Sequence, residues 1–205
     1  MMDASILEII GFSLLGYLLG SLPFAFWVTA WVSQVDVRQT GSGHATATNT
    51  IRQAGWPAGA LVFVLDVSKG FLATFLAAHF SHWVWLAPLA GALAVVGHCW
   101  PLLAGFRGGM GLATSSGAFL ALSPLVFLIG LGMLLVLVLV LRHAARAGLL
   151  TGVLIGPLLW LLGWRGPVIW LAFLAGAVVA LRFAVDWRRH YRELWLDRGK
   201  EKPQD

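Results

Sequence analysis

Six apolar segments, at roughly residues 6–32, 58–78, 83–103, 112–141, 147–164 and 168–183, make up most of this 205-residue chain. About 20 apolar residues suffice to cross the ~30 Å hydrocarbon core of a bilayer as a helix. Inside that core every backbone polar group must be satisfied within the protein, which leaves helices or closed barrels as the only spanning structures. Runs of this length favour helices. The chain is 59% apolar and only 11% charged, and no polar stretch between the runs is long enough to fold alone. The expectation is an all-α membrane protein in which residues 1–205 form one integrated domain, with 190–205 as a largely exposed basic tail. The first run is too long for a cleaved signal peptide. Asp3 and Glu8 stand where a basic region would be needed, and no small-x-small cleavage site follows, so the run is expected to be retained as a span.

The fourth segment holds about 30 residues, too many for one crossing at 1.5 Å per residue. Ser123-Pro124 lies in its first third, where a proline can open a new helix. Splitting it there predicts a bundle of seven transmembrane helices. With the N-terminus outside and the C-terminus cytoplasmic, 13 of the 14 Lys and Arg then face inward and only Arg165 lies outside. Six crossings would put Arg142 and Arg146 outside, against the positive-inside rule. The net charge of +5 is thus read as orientation in lipid, and no nucleic-acid partner is expected. Trp27, Trp31, Trp56, Trp83, Trp100, Trp164 and Trp187 fall near predicted span ends, as interfacial tryptophans do. Cys99 is the only cysteine, which excludes an intramolecular disulfide. No internal repeat is visible, which weighs against an inverted-repeat transporter.

Four polar clusters fall at or near the inner side. The first, GSGHATATNTIR at 41–52, offers small residues, hydroxyls, an amide and a guanidinium, the groups that hydrogen-bond a phosphate or a polyol. The competing reading is a Ser/Thr-rich turn capping the next helix. The second is Asp66-Val67-Ser68-Lys69-Gly70. Asp66 and Lys69 are three apart and share a helix face. Ionisable groups inside a span are costly, so the pair is either a brace or part of a substrate site. The third is GHCWPLLAGFRGGMGLAT at 97–114, four glycines gathered around Arg107. Backbone N–H groups without a Cβ nearby, beside a guanidinium, can cradle a phosphate. The competing reading is glycine for close helix packing. No Walker loop can be written through the stretch, and no βαβ unit surrounds it. His98 opens it, as a residue that either orients the loop or is simply a satisfied buried histidine. The fourth cluster is the arginine-rich tail from Arg182 onward, read mainly as a lipid anchor, with His190 as its one candidate for acid/base or phosphate work. His79 and His82 lack a nearby carboxylate in sequence and are read as interfacial. No metal or cofactor is expected.

Together these clusters resemble the PlsY family of acyl-phosphate:glycerol-3-phosphate acyltransferases, small integral membrane enzymes of bacterial phospholipid synthesis. The segment 41–52 looks like the family's GSGNPGATNxxR, 66–70 matches D-x-x-K-G, and 97–114 looks like GHxFPxFxxFKGGKGVAT without a gap. The resemblance covers most of the chain. It implies seven spans with the N-terminus out, in a bacterial inner (plasma) membrane, and an active site toward the cytoplasm. The implied reaction moves an acyl group from a long-chain acyl phosphate to the 1-hydroxyl of glycerol 3-phosphate, giving lysophosphatidic acid and inorganic phosphate. The implied partners are those two substrates, membrane lipid, and a soluble phosphate acyltransferase that supplies the donor. Carried over residue by residue, Ser42 and His190 are the catalytic candidates. Thr48, Asn49, Arg52, Asp66, Lys69, His98, Arg107, Gly108, Gly109, Gly111 and Thr114 are the substrate-binding candidates.

The departures are specific. Met110 stands for the family's second lysine and Arg107 for its first, a change of geometry at constant charge. His44, Ala45 and Thr46 replace Asn-Pro-Gly. The serine expected in 144–148 is absent, and Glu193 stands where an asparagine is expected. The alternative to an active enzyme is a catalytically degenerate paralogue that binds lipid phosphate and regulates or scaffolds lipid synthesis.

Overall fold

The computed structural model describes residues 6–188; His190 and the rest of the predicted tail lie outside the described residues. The order is α1 (Ile6–Gly20), α2 (Phe24–Ser33), α3 (Ala47–Phe80), α4 (Leu86–Cys99), a 3₁₀ turn (Leu102–Ala104), α5 (Leu112–Leu122), α6 (Pro124–Leu141), α7 (Ala144–Leu161) and α8 (Pro167–Ala184). No strand occurs among the described residues. Six helical stretches are long and apolar enough to cross a membrane: Ile6–Ser33, Ala47–Phe80, Leu86–Ala104, Pro124–Leu141, Ala144–Leu161 and Pro167–Ala184. The all-α membrane bundle expected from the apolar runs is the observed architecture.

The fourth apolar run breaks where its sequence says it should. The Ser123 backbone is extended, its hydroxyl accepts from the Val126 N–H at 3.4 Å, and Pro124 opens α6. A serine cap followed by proline satisfies one orphan donor and removes another. With 11 residues, α5 is only about 16 Å long. The first run forms one candidate span, Ile6–Ser33, as expected, but its helix is interrupted: α1 stops at Gly20 and α2 starts at Phe24. Pro23 has no N–H and pushes Leu22 out of the α region. The Leu22 carbonyl freed by this break accepts from Lys69 Nζ at 3.2 Å. Helix α3 likewise bends at Gly55, whose φ of 84° is non-helical, two residues before Pro57.

Small residues set the helix contacts, as is usual where lipid supplies no hydrophobic drive between helices. Gly16 and Gly20 of α1 lie against the backbone of Ala90 and Ala94 in α4. Gly70 of α3 and Gly117 of α5 each abut the partner helix's backbone, at Thr114 and Val67, and Gly152 and Gly176 do the same between α7 and α8. Helix α6 is the opposite case. Only Val126 is buried, and Leu125, Leu128, Leu135 and Leu139 are more than half exposed along one side. This is a lipid-facing helix held to the bundle by α5 and α7.

Candidate functional site

At one end of the bundle meet the loop before α3, the loop before α5, the start of α7 and the end of α8. The loop before α3 is organised by Asn49. Its amide nitrogen lies 2.9 Å from the Val37 carbonyl, 3.0 Å from that of Thr40 and 3.1 Å from that of His44. Its amide oxygen accepts from the Ser42 N–H at 3.3 Å. A primary amide has two N–H donors and one acceptor oxygen, and here all are directed at loop backbone. Thr46 caps α3 by accepting from the Asn49 N–H at 3.2 Å. The fold of this loop leaves Ser42, Thr48 and Arg52 on the wall of a cavity. Thr48 and Arg52 are four apart on α3, which puts both on that side.

The glycine-rich loop doubles back over the end of α4. The Gly109 N–H donates to the His98 carbonyl at 3.0 Å, and the Gly108 carbonyl accepts from the Ala45 N–H at 3.3 Å, joining the two loops. A Cβ on Gly108 would run into the carbonyls of His98 and Cys99, and one on Gly109 into the His98 ring and the Ala45 carbonyl. These two glycines allow close backbone packing, and neither is on the main cavity's wall. Gly111 is on it, and its φ of +87° turns the chain into α5. Arg107 is exposed and donates to the Arg38 carbonyl at 3.1 Å. Arg38 in turn donates to the Ala104 carbonyl at 3.0 Å and pairs with Asp36 at 2.8 Å. The Arg38 guanidinium holds the Asp36 carboxyl below the usual carboxylate range. Thus Arg107 and Arg38 pin the two loops together on their exposed surface, away from the cavity.

Deeper in the bundle, Asp66 and Lys69 form a buried pair at 2.9 Å, and His98 Nδ1 lies 3.5 Å from the same Asp66 oxygen. Asp66 and His98 line the main cavity, while Lys69 turns toward the break between α1 and α2. Thr114 is fully buried against Gly70 and is not on the cavity wall.

A third group was missed by the sequence reading. Arg182, which by sequence opens the lipid-anchoring tail, sends Nε–H to the Gly109 carbonyl at 3.0 Å and Nη2 to His44 Nδ1 at 3.1 Å. His44 Nε2 meets Asp186 Oδ2 at 2.6 Å. Arginine cannot accept a hydrogen bond, so Nδ1 is the acceptor and Nε2 carries the proton that is donated to the carboxylate. The trio ties both loops to the end of α8, and His44 is itself on the cavity wall. Arg182 lies in the last turn of α8 and Asp186 two residues past its end, in a turn closed by the Asp186 N–H on the Phe183 carbonyl, so helical spacing alone gave little signal.

The cavity has a volume of about 390 Å³. One part of its wall is polar: Ser42, His44, Thr46, Thr48, Arg52, Asp66 and His98. The rest is apolar, with Phe63, Phe127, Leu131, Leu134, Val138 and Phe183, and Met110 joins it. Ala144 also contributes, at the segment where the family's serine was expected. No three His, Cys, Asp or Glu side chains gather in a metal-binding group among the described residues. A polar pocket continuous with a greasy one suits an amphiphile that carries an anionic head.

The family model for glycerol-3-phosphate acyltransferase matches residues 10–193. A glycerol-3-phosphate acyltransferase of Listeria welshimeri is 40% identical over 167 residues, covering 76% of this chain and 82% of that protein. One from Synechococcus elongatus is 41% identical over 145 residues, covering 67% and 69%. The crystal structure of PlsY, an integral membrane glycerol 3-phosphate acyltransferase, in its glycerol 3-phosphate form aligns with a TM-score of 0.78 at 32% identity, covering 88% of this chain and 90% of that one. Its lysophosphatidic acid form gives 0.77.

Proposed function

This chain belongs to the glycerol-3-phosphate acyltransferase family, and from that premise we propose that it transfers an acyl group from a long-chain acyl phosphate to the 1-hydroxyl of glycerol 3-phosphate. The observation that carries the reading is a cavity whose wall is hydroxyl- and guanidinium-bearing in one part and apolar in the other. A mixed anhydride and a polyol phosphate, one of them with a fatty chain, fit such a wall.

In the reaction the acceptor hydroxyl attacks the acyl carbon, a C–O bond forms, and the C–O bond to phosphate breaks. Lysophosphatidic acid and inorganic phosphate are the products. The donor is already activated and phosphate is a good leaving group, so the protein's part is positioning and charge stabilisation. A phosphate oxygen can take the hydroxyl proton. Ser42, Thr48 and Arg52 hold phosphate and glycerol oxygens, and Gly111 turns the backbone so that α5 begins at the wall. The His44–Asp186–Arg182 trio fixes the loop that presents Ser42. Asp66, Lys69 and His98 brace the floor. Asn49, Gly108, Gly109, Arg107 and Thr114 act through the scaffold, as their partners suggest. His190 is retained as a catalytic candidate on the family resemblance alone.

We place residues 1–205 in one membrane domain of a bacterial inner membrane, with seven crossings, the N-terminus outside and the cavity toward the cytoplasm. In that count α5 is a short crossing continued by the loop before it. The arginines Arg38, Arg52, Arg107, Arg142, Arg146, Arg182 and Arg188 all sit in loops or helix ends at the cavity's end of the bundle, which supports the orientation. A soluble enzyme that makes acyl phosphate is the expected supplier of donor. The test is phosphate release by the purified, detergent-solubilised protein given palmitoyl phosphate, with and without glycerol 3-phosphate. Acceptor-dependent release with lysophosphatidic acid as product is expected. Folded protein that binds both substrates and releases no acceptor-dependent phosphate would replace the enzyme with a non-catalytic lipid-phosphate binder.

A further inference from the structure

Beside the main cavity lies a smaller compartment of about 60 Å³ between α5, α6, α7 and α8. The two share Leu112, Ser116, Phe127, Leu131 and Leu134 as wall residues, so the compartment adjoins the apolar part of the cavity. Gly130, Gly152 and Gly176 keep it from being filled by side chains. Its wall also carries Ser115 and Thr151. Both residues are more than nine-tenths buried, and their hydroxyl oxygens have no hydrogen-bond partner. Serine and threonine inside a helix ordinarily return their hydroxyl to the carbonyl four residues back. Ser116 does so, donating to Leu112 at 2.9 Å; Ser115 and Thr151 do not. Two orphan hydroxyls on the wall of one small compartment in an apolar bundle require an explanation.

We propose that this compartment is a polar stop for the acyl chain. The inference rests on the reading of the main cavity as the acyl site. The compartment has room for a few water molecules, which the two hydroxyls would hold. A saturated chain end entering it would displace those waters and leave both hydroxyls unpaired. Chains that end at Leu131 and Leu134 are accepted, and longer ones are rejected by about tenfold in kcat/KM for each hydroxyl so stranded. The selectivity thus comes from buried polarity at the end of the path, not from a steric wall.

The experiment compares purified wild type with Ser115→Ala/Thr151→Val, using acyl phosphates graded in chain length. Thermal stabilisation by lysophosphatidic acids of the same graded lengths is a second readout that needs no turnover. The double variant is expected to extend the longest accepted chain, by about tenfold or more in kcat/KM at the first length that wild type rejects, with shorter chains unchanged. Its stabilisation optimum should move to longer lipids in parallel. Identical length profiles in wild type and the double variant would overturn the proposal. A second variant covers the case in which the double variant does not fold. A methyl group on Gly130 would make only ordinary contact with Ile155, at 3.7 Å, so Gly130→Ala narrows the compartment without strain. A polar stop predicts an unchanged profile there, since the chain never enters. A profile shifted to shorter chains would mean that the chain does enter and would equally overturn it. Absence of wild-type turnover at every length would remove the acyl-transfer reading instead, and the lipid-length stabilisation profiles would still decide the stop.

Discussion

The loop before α3 and the glycine-rich loop touch through one backbone hydrogen bond, from Ala45 to Gly108. Both have the small, polar composition of an anion site, yet they contribute differently. The first places Ser42, His44, Thr48 and Arg52 on the cavity wall, because Asn49 takes over the loop's internal hydrogen bonding. The second turns Gly108 and Gly109 onto the His98 backbone and ring and sends Arg107 outward to the Arg38 carbonyl. Glycine content alone therefore does not locate a phosphate cradle. What matters is whether the backbone made accessible by missing Cβ atoms faces a cavity or faces another chain segment.

The largest expected effect tests the scaffold half of this contrast. Gly109→Ala forces a methyl into the His98 ring and the Ala45 carbonyl. Overpacking against backbone of this kind costs ~3 kcal/mol or more. A thermal melt should show a drop of many degrees or no folded protein, whereas a wild-type Tm with selectively weakened phosphate binding would return Gly109 to the anion site. Next is Asp186→Asn, which keeps the shape but removes the charge from the buried bond to His44. About a tenfold fall in kcat/KM is expected, a charge-assisted hydrogen bond being worth ~1.5–3 kcal/mol. An unchanged steady-state rate would detach the trio from the site.

Met110→Lys sharpens the contrast at the position where the family resemblance implies a lysine. Met110 is buried, belongs to the main hydrophobic core cluster and also lines the cavity. If this loop is scaffold, the lysine lowers stability by ~1–3 kcal/mol and does not raise turnover. Faster turnover would show that the loop's lost cation belonged to the phosphate. The smallest effect is at the outer pin. Asp36 has its carboxyl lowered below 3.8 by Arg38, so its contribution is present above about pH 4 and is lost as pH falls through the folded-state value. Asp36→Asn should cost at most ~1 kcal/mol at neutral pH, as expected for a partly exposed pair. It should also flatten the acid limb of a Tm-against-pH curve; an unaltered limb would mean that the pair contributes nothing.

Much of this architecture was legible in the chain. The apolar runs located the six long helical stretches, and Ser123-Pro124 located the break before α6, because both signals are local. Motif order brought the right neighbourhoods together. Side-chain direction within a motif was not legible: Thr48 and Arg52 face the cavity while Asn49, between them, faces its own loop. The break at Ser21–Pro23 carried a proline signal, but its use appears only when Lys69 arrives from α3, 47 residues away. The His44–Asp186 bond joins residues 142 apart, and no spacing rule in one sequence connects them.

The central claim is that the loop before α3 holds the substrate's phosphate while the glycine-rich loop supports it. The loop before α3 leads into Arg52 in the first turns of α3, and the glycine-rich loop carries Arg107, so the direct measurement is the KM for glycerol 3-phosphate, beside the Tm, in Arg52→Ala and Arg107→Ala. For Arg52→Ala a KM raised about 10- to 100-fold is expected, the equivalent of ~1.5–3 kcal/mol, with Tm little changed. A KM within about twofold of wild type is expected for Arg107→Ala, whose partner is a backbone carbonyl on the exposed surface, away from the cavity. A KM raised more by Arg107→Ala than by Arg52→Ala would contradict the claim.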